Sequence, residues 1–266
     1  MNNNGLPLGI VPIALYAVGT FLGMLLMLEL GRLVGRRGLA KHGGQSHSTS
    51  PVDGAIFALL GLLIAFTFSG AAARFDTRRL QIATEANHIG TSWLRLDLLP
   101  ADYRHELRGL FRQYLDARLD TYRKLPDVNA ALAELARSQE LQRQIWSKAV
   151  AGCDARADPS VRTLLLGSIN EMIDITTTRT MAARIHPPTV IFLLLTCMTL
   201  GCSFLAGHAM AGHPGRPWVH HLVFAIVISS VTYTILDIEH PRAGVIRISA
   251  ADQVLEELRH EMDLPD

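Results

Sequence analysis

The sequence predicts an all-α membrane protein: four transmembrane helices in two pairs, flanking a helical extramembrane insert. Three observations lead there. Leu6–Leu28, Gly54–Ala73 and Pro187–Gly207 contain no Asp, Glu, Lys, Arg or His. Each approaches the ~20 residues that cross a ~30 Å hydrocarbon core as helix. The stretch between the second and third runs is polar, with apolar residues recurring at helical spacing. Charged residues make up 18% of the chain, below the ~25% usual in soluble domains.

Span 1 ends around Glu29-Leu30-Gly31-Arg32, and Gly35 through Pro51, rich in Gly, Ser and His, reads as a flexible connector. The Met1-Asn2-Asn3-Asn4 start lacks the basic region of a signal peptide, so span 1 is expected to be retained. Span 2 runs on without proline from Asp53 to Pro100, so one helix is expected to extend beyond the bilayer. Residues 1–73 thus form the first pair and its connector, and 74–186 the extramembrane domain.

Within the insert, Tyr103, Leu107, Leu110, Phe111, Tyr114, Leu115, Leu119 and Tyr122 make one apolar stripe. Leu132, Leu135, Leu141 and Ile145 make a weaker one that lacks a step. Asp158-Pro159 is a cap followed by an N1 proline, opening a third stripe over Val161, Leu164, Leu165, Ile169, Met172 and Ile173. His186-Pro187-Pro188 ends that helix and starts the second pair, 187–236. Span 4 is Leu222–Leu236, lengthened by Trp218 and Val219. Residues 237–266 form a polar turn and an amphipathic helix bearing Val254, Leu255, Leu258 and Met262.

A formal net charge of +1 gives no reason to expect a nucleic-acid partner. Cys153, Cys197 and Cys202 form neither a disulfide framework nor a metal-ligand spacing. His208, His213, His220 and His221 gather around the turn between spans 3 and 4, without the i, i+4 pair and acidic ligand of a zinc site. No phosphate loop or nucleophile elbow occurs, so no cofactor, metal or enzymatic activity is expected. Glu85 and Asn87 are placed to make inter-helix hydrogen bonds.

The run from Leu62 through Phe66-Thr67-Phe68-Ser69-Gly70 to Arg74-Phe75-Asp76-Thr77-Arg78-Arg79 resembles the second span of bestrophins together with the polar segment after it. Ile238-Glu239-His240-Pro241-Arg242-Ala243-Gly244 resembles their acidic-proline turn after the fourth span. The bacterial bestrophin-like domain family is the closer resemblance, over Ala55–Pro100 and Leu236–Leu258. Bestrophins are pentameric anion channels whose second span lines a hydrophobic neck. The resemblance therefore implies a homo-oligomer in a bacterial inner membrane that passes inorganic anions. Its neck would be ringed by Ala58, Leu62 and Phe66, and its mouth formed by Thr67, Ser69, Arg74, Arg78 and Arg79. Thr67-Phe68-Ser69 replaces the Arg-Asn-Asn of bestrophins, and of the calcium-binding acidic cluster of animal bestrophins only Asp237 and Glu239 are visible. The other reading is a membrane sensor or assembly protein whose helical insert binds a ligand or partner.

With four spans, both termini and the insert share one side. Arg74, Arg78, Arg79, Arg179, Arg184, Arg242 and Arg247 flank the spans there, seven positives against five (Arg32, Arg36, Arg37, Lys41 and Arg216) on the other side. The positive-inside rule therefore favours a cytoplasmic insert. A fluorescent-protein fusion at Ala130 should fluoresce and a phosphatase fusion there should be inactive; the opposite pair of results would invert the topology.

Overall fold

The computed structural model describes residues 10–41, 51–125, 127–156, 158–212, 215, 218–242 and 244–264; within them the chain forms eight α-helices and no strand. It divides into two compact units, one comprising the residues up to Arg74 with His186–Ile246, the other Phe75–Ile185 with the residues from Arg247 onward.

The first unit holds α1 (Ile10–Lys41), the start of α2 (Pro51–Arg95), α6 (Thr189–Ala209) and α7 (Trp218–Glu239). Among the described residues four helical stretches are long and apolar enough to cross a membrane. α1 packs against both α6 and α7. It also runs further than its composition suggests: Gly35-Arg36-Arg37-Gly38, expected in the connector, are helical to Lys41. Gly35 serves close packing here rather than a turn. A methyl group on Gly31 would overlap the Phe204 carbonyl, and one on Gly207 would overlap the Leu28 carbonyl. One on Gly35 would lie 2.9 Å from the His208 carbonyl oxygen. In lipid, where apolar area drives helices together only weakly, such close backbone approach is a main source of association. Residues 42–50 of the connector, including His47-Ser48-Thr49-Ser50, lie outside the described residues, and Pro51 opens α2.

Several hydroxyls in this unit are satisfied by their own helices, as an apolar surrounding favours. Ser203 donates to the Thr199 carbonyl (2.8 Å), Thr232 to Ile228 (2.9 Å) and Thr196 to Phe192 (2.8 Å).

The second unit contains the continuation of α2 from Phe75, then α3 (Ala101–Arg123), α4 (Val128–Arg156), α5 (Pro159–Arg184) and α8 (Ser249–Glu261). α2 ends in a 3-10 turn, Leu96–Leu98, with Leu99 extended ahead of Pro100, the conformation that a following proline favours. The α3 stripe is buried through Leu107, Phe111, Tyr114, Leu115 and Leu119. The step missing from the α4 stripe is filled by Ser138, and Ala131 rather than Leu132 faces inward. Asp158 caps α5 by accepting from the Ser160 amide (2.9 Å), with Pro159 at the first helical position. Leu164, placed on the α5 stripe from sequence, is instead 48% exposed, as the buried face follows Val161, Leu165, Ile169 and Met172. α8 lays Leu255 and Met262 into the same core and is tied to α3 by Arg259–Asp116 (2.7 Å) and Arg123–Glu256 (2.7 Å). Burial pushes the Cys153 thiol up from its ordinary value.

One buried charge cluster joins three of these helices. Glu85 of α2, fully buried, accepts from Arg118 Nε of α3 at 2.6 Å and from Arg179 of α5. Both guanidiniums lie over the Tyr122 ring, at 5.4 and 4.5 Å from its centroid. Removing the single carboxylate strands two buried cations, a change that costs about 3–5 kcal/mol in comparable pairs. Glu85→Gln should therefore lower the melting temperature of the detergent-purified protein strongly. An unchanged melting curve would show that the cluster contributes little.

Candidate functional site

The membrane part of α2 has two unlike faces. Leu60, Thr67 and Ala71 are its buried residues, with Leu60 packed against Leu195 and Cys202 of α6. On the opposite side Ala58, Leu62, Phe66 and Ser69, spaced by three and four residues, are exposed. Phe66 is 68% and Leu62 50% exposed. Thr67 is not among them: its hydroxyl donates to the Leu63 carbonyl one turn back, on the buried side.

The arginines at the end of this span are mostly engaged. Arg74 Nε donates to Glu239 Oε1 at 2.7 Å, and Glu239, the last residue of α7, is fully buried. His186 Nδ1 lies 3.8 Å from the other Glu239 oxygen, and the His186 and His240 rings stack at 5.1 Å and 10°. In the second unit, Arg78 donates to the carbonyls of Ala182 (3.2 Å) and Ile185 (3.0 Å), satisfying the C-terminal end of α5. Arg79 remains exposed, 3.9 Å from Asp76 and over the Phe75 ring at 5.8 Å. Of the residues expected at a neck and mouth, the structure gathers Ala58, Leu62, Phe66 and Ser69 on one open face. It leaves Arg79 exposed and turns Thr67, Arg74 and Arg78 into internal bonds.

Asp237 and Glu239, read from sequence only as remnants of an acidic cluster, organise the turn after α7. The Asp237 carboxylate accepts from the Val245 amide (2.9 Å) and the Ile246 amide (2.7 Å), drawing the chain back over the helix end. The available signal was one of position: an acid at the end of one apolar span and an arginine at the end of another. Among the described residues no three His, Cys, Asp or Glu side chains gather in metal-binding geometry. His213 lies outside the described residues.

Residues 14–253 match the Bestrophin-like domain. None of the curated proteins matches the sequence. Solved structures of a bacterial bestrophin homologue from Klebsiella pneumoniae, each carrying one mutation, share the fold. Three of them superpose with TM-scores of 0.73, 0.70 and 0.69 at 13%, 16% and 17% identity. They cover 94%, 93% and 92% of this chain and 96%, 98% and 98% of their own.

Gly244 touches Asp237 so closely that an added methyl would overlap the carboxylate. Gly244→Ala should therefore destabilise the protein by about 1–3 kcal/mol, the usual cost of overpacking, read as a lower melting temperature in detergent. A wild-type melting curve would show that the turn has room to shift.

Proposed function

The chain belongs to the Bestrophin-like domain family, and on that premise we propose that it is an oligomeric ion channel of a bacterial inner membrane, conducting anions along the open face of α2. The observation that supports this best is that face itself. Ala58, Leu62 and Phe66 succeed one another by single helical turns and are left uncovered by their own chain, as residues would be whose neighbours are the same residues of other copies. Rings of such side chains form a hydrophobic neck that gates by dewetting. Ser69 comes next on the same face and offers a hydroxyl to an ion leaving the neck, and Arg79, further along α2, adds a positive field. Arg74 and Arg78 act at the mouth by holding the helix ends in place, and Thr67 by its bond to the preceding turn of α2. The family resemblance implies five copies, and the charge balance of the flanks favours a cytoplasmic insert. Such a protein conducts ions and performs no covalent chemistry.

A second reading draws on a different observation. The insert carries an open cavity of about 710 Å³ lined by residues including Glu106, Gln113, Glu140, Arg143 and Lys148. That would suit a sensor or assembly protein whose insert binds a polar ligand or partner.

Native mass in detergent should give a closed oligomer, and that oligomer in planar bilayers should carry anion current. Phe66→Ala and Leu62→Ala should raise the conductance by widening the neck. A stable monomer, or a correctly assembled oligomer with no current, would reject the channel and leave the second reading.

A further inference from the structure

Arg32, on α1, is 1% exposed, yet among the described residues only one of its nitrogens has a partner. Its Nη2 donates to the Gly215 carbonyl in the turn between α6 and α7, while Nε and Nη1 donate to nothing. Two more nitrogens without partners lie at the same end of the first unit, Nδ1 of His208 on α6 and Nε2 of His221 on α7. α1 packs against both of these helices. Gly35, one turn beyond Arg32, faces the His208 ring, a Cβ there lying 3.1 Å from Nδ1. His221 is 3% exposed and within electrostatic reach of Arg32 and of Glu29. Glu29 is engaged in contacts of its own.

A guanidinium cannot shed its charge, and burying it among apolar helices without an anion is costly. Imidazole nitrogens from two further helices add donors around it. A group that satisfies all three must be negative, small and able to accept from several directions.

We propose that Arg32, His208 and His221 form a binding site for an oxyanion at the α6–α7 end of the membrane unit. Free phosphate and the phosphate of a lipid headgroup share this chemistry. The site uses no residue of the α2 face, and its readout is binding rather than current, so it survives or fails independently of the channel reading.

The test uses the full-length protein in detergent. Inorganic phosphate is titrated against the melting temperature at constant ionic strength. In parallel, retention of phosphatidylglycerol is compared with that of a phosphate-free glycolipid by native mass spectrometry. Wild type should be stabilised by phosphate, which identifies a solution anion, or should selectively retain phosphatidylglycerol, which identifies a headgroup; either supports the site. Arg32→Gln should weaken the response about tenfold or more, the loss of charge-assisted hydrogen bonds. Because that variant can fail to assemble, His208→Gln and His221→Gln are measured beside it and should each weaken binding by a smaller factor. No response in wild type to either probe, or undiminished binding in all variants that assemble, would overturn the proposal.

Discussion

The membrane unit depends on the backbone contact between α1 and α6. Gly31 and Gly35 on one helix and Gly207 on the other leave no room for a side chain between them. In a bilayer, lipid tails are as apolar as leucine, so dense packing at short range does what the hydrophobic effect does in water. With α1 seated on α6 and also against α7, α2 joins through side chains such as Leu60. The consequence is a helix covered on one side only, and the functional reading grows out of that open side.

Two buried carboxylates tie helices together through arginines. Arg74 and Glu239 join the end of one span to the end of another, and Glu85 joins Arg118 to Arg179 inside the helical insert. Each carboxylate is fully buried, so each contributes less to net stability than to specificity, while being expensive to leave alone. In both cases a single carboxylate fixes how separate helices meet. Arginines that look like pore-mouth charges in the sequence can therefore be committed to the architecture. Arg74 and Arg78 are so committed, and Arg79 is the member of that set left exposed.

The sequence by itself determined the spans and the helical character of the insert. A hydrocarbon layer excludes charge over a set length, and a helix facing a core must repeat its apolar residues every three or four positions; both constraints are written locally. Hence Gly54–Ala73, the Asp158-Pro159 cap and the stripe from Leu107 to Leu119 were legible. Glu85 was also legible as a hydrogen-bonding residue, from its place on a long proline-free helix. Only the tertiary structure decided what depends on distant partners. Gly31 and Gly35 read as a helix end and a connector until α6 is laid on them. Arg118 sits in step with the apolar stripe of α3, a warning that it is buried, but its partner lies 33 positions away. Thr67 and Ser69 are two residues apart with similar hydroxyls, yet one bonds inward and the other faces out. That difference is set by which side of α2 rests on α6, an outcome of packing between helices that no local pattern encodes.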